Sequence, residues 1–118
     1  MLNEKLTKGD DYLFKVRIHD NGVSRDLTTI QQVIYTVSHT EGTVLKKLYD
    51  MDLQNGITIP DPTNGVIHIP FRGAPVLGIV NSQVLHTAVI IDEHGNRFTL
   101  FKEYVNLTNF LDSVEGDI

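Results

Sequence analysis

The sequence predicts an all-β sandwich of about seven strands, on three observations. Apolar and polar residues alternate along most of the chain, turn-forming residues separate these segments at spacings of roughly 8 to 15 residues, and no long amphipathic helix can be placed. Alternation indicates strands because successive side chains of a strand point to opposite faces of a sheet. A chain of 118 residues is long enough for one domain with its own core. A small barrel is the alternative architecture.

The clearest single element is a hairpin within residues 56–71. Its turn, residues 61–65, reads Asp-Pro-Thr-Asn-Gly, in which proline presets φ while asparagine and glycine accept positive φ. Short apolar alternations flank this turn on both sides, as expected for two paired strands. The flanking apolar residues are Ile57, Ile59, Val66, Ile67 and Ile69.

The chain begins with a segment that we interpret as a charged arm, residues 1–11. A first strand is predicted over residues 12–19, with an aromatic-rich inner face, and it ends in a turn at residues 20–22, Asp-Asn-Gly. The predicted inner residues of this strand are Tyr12, Phe14, Val16 and Ile18.

Two more strands are predicted before the central hairpin. One has the inner residues Val33, Tyr35 and Val37, a composition that suits a pleated surface better than a helix. After a turn at residues 39–42, a third strand covers residues 43–48, with Lys46 and Lys47 on its exposed side. Residues 49–55 form a polar connection, and its Met51 and Leu53 are expected to pack under the sheet.

After the central hairpin we predict a long crossover and a second hairpin. The crossover covers residues 72–78, rich in glycine and proline, with one helical turn near residues 76–80. The hairpin joins strands at residues 84–91 and 97–107 through the loop 92–96, whose glycine supplies a positive φ. The side chains expected to share its inner face are His86, Ala88, Ile90, Phe98 and Leu100.

The alternation changes phase late in the last strand. Lys102 and Glu103 interrupt it, and Val105 and Leu107 resume the inner face, so we predict a β-bulge near Lys102. The organisation is thus an arm at residues 1–11, a β-sandwich domain at residues 12–107 and a tail at residues 108–118. Strand number and turn spacing favour an immunoglobulin-like sandwich, although the disulfide and core tryptophan of antibody domains are absent.

Composition argues against several classes of function. A formal net charge of −5 with scattered lysine and arginine argues against nucleic-acid binding, which needs a basic face. No apolar run approaches the roughly 18 residues of a membrane span, and no signal-type apolar region follows the first residues. We therefore expect a soluble protein without a conventional export signal. With no cysteine, neither disulfides nor thiolate metal sites exist.

The five histidines do not have the spacing of metal ligands, so we predict no metal and no cofactor. His19, His39 and His94 are expected in solvent at strand ends or turns. His86 is interpreted instead as a core histidine bonded to a backbone carbonyl. The five are His19, His39, His68, His86 and His94.

No catalytic residues are predicted either. Asp50 and Asp52, followed by Asn55, resemble a calcium loop only faintly, because the required glycine and bidentate glutamate are missing. The serines lie in no Gly-x-Ser-x-Gly motif and beside no evident base, and the glycines form no phosphate-binding loop. The serines considered are Ser24, Ser38, Ser82 and Ser113. An enzyme is therefore not expected.

The order of the turn motifs resembles the immunoglobulin-like module of tailed-phage virion proteins. The resemblance covers residues 8–108. Within this module family, the chain is similar to the N-terminal domain of upper baseplate proteins from phages of Gram-positive hosts. One departure is Gly-Ile-Val-Asn-Ser at residues 78–82, where the family has Pro-Gly-x-Tyr. The segments that carry the resemblance are residues 8–10, 20–22, 24–28, 41–44, 55–59, 61–66 and 92–95.

The resemblance implies a non-enzymatic structural or adaptor protein of the tail, baseplate or neck, located in the virion and assembled in the host cytoplasm. Its partners would be other virion proteins in a symmetric ring or multimer, contacted through the sandwich, an edge strand or the terminal arms. The alternatives are a carbohydrate- or receptor-binding module on the same sandwich, and a capsid decoration protein.

Overall fold

A computed structural model describes residues 5–108 and arranges them in two facing β-sheets and a small hairpin. The strands are β1 (Lys5–Thr7), β2 (Tyr12–Arg17), β3 (His19–Asp20), β4 (Val23–Ser24), β5 (Gln32–Glu41), β6 (Val44–Met51), β7 (Thr58–Asp61), β8 (Val66–Phe71), β9 (Gln83–Ile91) and β10 (Arg97–Thr108). The larger sheet has the order β1-β10-β9-β5-β6 and the smaller one the order β2-β8-β7, while β3 pairs with β4. Buried side chains from both sheets form one core. The predicted immunoglobulin-like all-β sandwich is confirmed.

The central hairpin forms as predicted. β7 and β8 pair on either side of a 3₁₀ turn at Pro62–Asn64, and Gly65 follows with φ of 71°. β2 adds to β8 in an antiparallel register that places Phe14 opposite Ile69 and Val16 opposite Ile67, all of them buried. The first predicted strand is therefore confirmed over residues 12–17, although it ends before Ile18 and His19, and these strands form one wall of the core.

The central strands of the larger sheet also follow the predicted alternation. In β5 the inner residues Val33, Tyr35 and Val37 are completely buried. The strand is longer than predicted and ends at Glu41, so the turn narrows to residues 42–43. β6 correspondingly continues to Met51, which is buried against the core as expected.

The β-bulge of β10 lies earlier than predicted. The pairing of β10 with β9 shifts between Thr99 and Phe101, so Leu100 is the extra residue rather than a residue near Lys102. Because side chains alternate, this earlier shift turns Phe101 and Glu103 toward the inner face. Glu103 then lies directly opposite His86 of β9.

The predicted N-terminal arm needs a correction. Lys5–Thr7 is not outside the sandwich but forms β1, which pairs in parallel with the end of β10. The apolar side chain of Leu6 is buried in the core, and the backbone N–H of Thr7 donates to the hydroxyl of Tyr12 at 2.8 Å. The predicted tail loses Thr108, which ends β10, and its remainder, like residues 1–4, lies outside the described residues.

The crossover after β8 contains the predicted helical turn about two residues early, as α1 (Ala74–Leu77). No helix within residues 5–108 is long and apolar enough to span a membrane.

Gly73 precedes α1 and packs against the backbone of Gly9 and Asp10. The N–H of Gly73 donates to Asp11 Oδ1 at 2.8 Å, so the crossover is fixed to the start of the chain.

We predict that Gly73→Ala destabilises the domain by about 3 kcal/mol, because the added Cβ would overlap backbone atoms that cannot move independently. Gly78→Ala is the matched control, since a Cβ there meets nothing within 4 Å and neither glycine has positive φ. Urea unfolding of both variants gives the measurement. Equal midpoints for the two variants would contradict the packing argument.

Candidate functional site

The imidazole of His86, at the middle of β9, is a fully buried polar group. It is 0% exposed. Its strand neighbours are Val37 on β5 and Glu103 on β10, and Tyr35 lies one inward-facing position from Val37 along β5. The hydroxyl of Tyr35 lies 2.9 Å from His86 Nδ1, and Glu103 Oε1 lies 3.4 Å from His86 Nε2. These three side chains form a network across three adjacent strands.

The geometry fits one arrangement of protons at neutral pH. The Tyr35 hydroxyl donates to Nδ1 of a neutral imidazole, and Nε2–H donates to the carboxylate of Glu103. Burial lowers the pKa of His86 below its ordinary value of 6.5, and this effect exceeds the opposing effect of Glu103. Burial also raises the pKa of Tyr35 well above its ordinary value of 10. His86 and Tyr35 are thus both neutral.

Aromatic rings enclose the imidazole of His86. The ring centroid of Phe101 lies 4.6 Å away, and those of Phe14 and Tyr35 each lie 5.6 Å away. Of the three side chains in the network, Glu103 is the one that reaches solvent, with its side chain 30% exposed. A substrate in solution cannot reach the ring nitrogens of His86 or the hydroxyl of Tyr35. We therefore assign the network a role in holding three strands in register.

The prediction for His86 is confirmed in part. It is a core histidine, but its partners are the Tyr35 hydroxyl and Glu103 rather than a backbone carbonyl. The backbone carbonyls around it are used by the sheet, so side chains from the neighbouring strands supply its hydrogen bonds. A sequence signal that could identify Tyr35 is its place on the predicted inner face, since a buried tyrosine hydroxyl usually needs a hydrogen-bond partner.

The other histidines take no part in the hydrogen bonds of this network. His19 and His94 are exposed at a strand end and a turn, as predicted, and His68 faces outward on the smaller sheet. His39 differs from the prediction because it is half-buried and its Nδ1 lies 3.1 Å from Asn81 Oδ1. Within residues 5–108, no three histidine, aspartate or glutamate side chains are grouped so that they could hold a metal ion.

The acidic residues stabilise turns. Asp92 Oδ1 accepts hydrogen bonds from the backbone N–H groups of His94 and Asn96, at 2.9 and 2.8 Å. Asp50, considered above as part of a calcium loop, instead accepts a hydrogen bond from Lys47 at 2.8 Å. Ser24, Ser38 and Ser82 lie on separate elements, and Ser113 is outside the described residues. The structure therefore brings none of these groups together.

The surface offers one feature of interest, which we call the apolar end. It comprises Val44 and Leu45 in the β5–β6 hairpin and Leu77 and Val80 in the crossover between β8 and β9. All four side chains are at least half exposed. Asn81 joins the two segments, because its Nδ2 donates to the carbonyl of Thr40 at 2.9 Å while its Oδ1 contacts His39. Thr40 lies directly opposite Leu45. The apolar end is thus held by hydrogen bonds rather than left as a loose loop.

Three strands at the sheet edges, in contrast, are protected against pairing. β6 carries Lys46 and Lys47 and a register shift opposite Val37 and Ser38, β7 contains Pro60, and β10 has its bulge at Leu100. Lysine, proline and bulges all discourage the addition of another strand. Backbone pairing with a neighbouring sheet is therefore unfavourable along β6, β7 and β10, whereas β2, at the other edge of the smaller sheet, has neither a proline nor a bulge.

The chain matches no protein-family model and no curated protein. Among solved structures it is similar to murine CRIg, with 9% sequence identity and a TM-score of 0.46, over 90% of this chain and 90% of that chain.

We predict that Tyr35→Phe lowers the free energy of unfolding by roughly 1–3 kcal/mol, because His86 Nδ1 would remain buried without a donor. Tyr104→Phe removes the same hydroxyl from a side chain that is 53% exposed, and we expect a change below about 0.5 kcal/mol. Urea unfolding measures both. If the two variants lose equal stability, the network does not contribute as argued.

We also predict that the domain loses stability as the pH falls below about 6.5. The unfolded chain takes up a proton on His86 in this range, while the folded chain, whose His86 pKa is lowered, does not. The unfolded state then binds more protons, and each pH unit costs up to about 1.4 kcal/mol until the folded-state pKa is reached. Urea midpoints measured between about pH 7 and pH 5.5 test this.

His86→Gln should flatten that dependence, whereas His94→Gln, at an exposed turn, should leave it unchanged. Should His86→Gln fail to fold, Glu103→Gln offers a second test. It removes the carboxylate that favours the charged imidazole, so the loss of stability should extend to lower pH. If the pH dependence of stability in His86→Gln or in Glu103→Gln is identical to that of the native chain, the assignment to His86 is contradicted.

Proposed function

We propose that this chain is a non-enzymatic structural or adaptor protein of a bacteriophage virion, in the tail, baseplate or neck. The motif order described above supports the virion assignment. A role without catalysis is supported by the burial of the Tyr35–His86 pair in the core and by the local hydrogen bonds of Asp92 and Asp50. Capsid decoration would use the same kind of docking surface and is the nearest variant of this proposal.

The observation that carries the docking proposal is the apolar end. Four aliphatic side chains that are at least half exposed lie on the two segments that Asn81 joins, with Val80 97% exposed. Such a patch is typical of a surface that contacts another protein. The protected edges and the use of Lys5–Thr7 inside the sandwich favour side-chain contacts over strand addition as the mode of docking.

The size of the apolar end implies that a single contact is weak. Burying four aliphatic side chains contributes at most about 6–12 kcal/mol, which is comparable with the roughly 4–15 kcal/mol lost on association. Repetition of the contact around a symmetric ring would compensate, since linked contacts act through effective concentration. The proposed partners are therefore neighbouring virion proteins in a multimer.

The positions of the exposed aromatic residues argue against a carbohydrate-binding role. Phe98 and Tyr104 are the large exposed rings of β10, and they lie on opposite faces of the sheet because of the bulge. The guanidinium of Arg25 lies 5.0 Å from the centroid of the Phe98 ring and occupies that face. These two rings cannot form one stacking platform for a sugar.

The virion assignment is tested by immunogold electron microscopy of purified particles of the phage that encodes the chain. We expect labelling at one symmetric part of the tail, baseplate or neck. Absence of the chain from purified particles, measured by mass spectrometry, would refute the assignment.

The docking surface is tested with Val80→Asp, supplied to particles that lack the native chain. We expect about a tenfold loss of incorporation, because a buried unpaired carboxylate opposes docking. Val23→Asp is the matched control, since Val23 is 69% exposed on the separate β3–β4 hairpin. Equal incorporation of both variants, with unchanged unfolding midpoints, would exclude the apolar end while leaving the virion assignment intact.

A further inference from the structure

Three asparagines in the chain precede glycine, at Asn21, Asn55 and Asn64. We propose that Asn21 and Asn55 are sites of spontaneous conversion to aspartate and isoaspartate in the folded protein, and that the fold protects Asn64. The three sites share one dipeptide, so any difference between them must come from their surroundings. This inference does not depend on the proposed virion role.

The chemistry needs only water. The backbone nitrogen of the glycine loses its proton and attacks Cγ of the asparagine side chain, forming a new C–N bond. The bond from Cγ to the side-chain nitrogen breaks, and ammonia leaves with the proton, giving a five-membered succinimide. Water then opens the ring at either carbonyl, which yields aspartate or isoaspartate. Glycine favours the reaction because it has no side chain to hinder the attacking nitrogen.

At Asn64 both reacting groups are held. The side-chain nitrogen Nδ2 donates to Asp61 Oδ2 at 2.9 Å, and the attacking nitrogen of Gly65 donates to the carbonyl of Pro62 at 3.2 Å. The carbonyl of Gly65 in turn accepts from the N–H of Ile18 at 2.9 Å. A leaving group in a hydrogen bond and a nucleophile whose proton is already donated are both poorly placed to react.

The surroundings of Gly65 also prevent the necessary rotation. Gly65 is buried, and a Cβ placed on it would lie 2.7 Å from the carbonyl oxygens of Ile18 and Arg25. The peptide between Asn64 and Gly65 therefore cannot turn toward the side chain unless this part of the sandwich opens. Such an opening involves β2 and β8, which belong to the core.

Asn21 and Asn55 have none of these restraints. Within the described part of the chain, neither side chain has a hydrogen-bond partner, and the N–H groups of Gly22 and Gly56 have none either. All four residues are exposed. Asn21 and Gly22 form the turn of a hairpin with only two residue pairs, and Asn55 lies in an irregular connection. Local opening at Asn21 requires little disruption of the core, and opening at Asn55 breaks the hydrogen bonds that the N–H groups of Asn55 and Ile57 donate to the carbonyl of Asp52.

The test is incubation of the folded chain at mildly alkaline pH, followed by peptide mapping with mass spectrometry that distinguishes isoaspartate from aspartate. The same chain in concentrated urea is the reference. We expect comparable conversion at all three sites in urea, and conversion at Asn64 roughly a hundredfold slower than at Asn21 and Asn55 in the folded chain. Equal rates at Asn64 and the other two sites in the folded chain would overturn the proposal.

Two variants distinguish the contribution of the Asp61 hydrogen bond to the protection of Asn64 from the contribution of burial. Asp61→Ala removes the acceptor of Asn64 Nδ2, and we expect conversion at Asn64 to rise severalfold while Asn21 and Asn55 do not change. Thr63→Ala is the matched control, because Thr63 also bonds to Asp61 but does not touch the reacting groups. If either Asn21 or Asn55 converts in urea but not in the folded chain, the assignment of that site is wrong.

Discussion

The hydrogen bond between the Tyr35 hydroxyl and His86 Nδ1 is the constraint on which the centre of this sandwich depends. A phenol and an imidazole buried without partners would each cost roughly 1–3 kcal/mol, so the fold needs the two groups to meet. They meet only when β5 and β9 are in the observed register. A slip by one residue would turn His86 outward and leave Tyr35 unpaired. One polar contact thus selects one strand alignment among several that apolar residues alone would tolerate.

The bulge at Leu100 completes this arrangement from the other side. Without the extra residue, Phe101 and Glu103 would point to solvent, and His86 would lack both its ring contact and its second hydrogen bond. This detail is hard to predict, because Lys102 and Glu103 look like the break in alternation whereas Leu100 resembles any inward residue. The strands and turns themselves are predictable since their signals are local, as in the central hairpin at residues 58–71. The Tyr35–His86 pair joins residues 51 positions apart, and no local pattern encodes that contact.

The same difference between local signals and long-range contacts explains why the N-terminal strand β1 is not predictable from the sequence. Lys5–Thr7 offers three residues with one apolar side chain, too little for a prediction, and its partner strand ends about a hundred residues later. Only the folded sandwich creates the open edge of β10 and the pocket that receives Leu6. The apolar end escapes prediction for a related reason. Val44 and Val80 lie in different segments, and Asn81 brings those segments together through the carbonyl of Thr40.

The protected edges and the fixed apolar end are consistent with one strategy for a protein that assembles with others. An open edge can pair with any extended chain, so its contacts are strong but poorly selective. Side chains on a fixed surface select by shape, and Asn81 limits the motion that Val80 would otherwise lose on docking. In the proposed virion role, such a contact would be too weak alone and sufficient when repeated, which lets a ring assemble without trapping wrong partners.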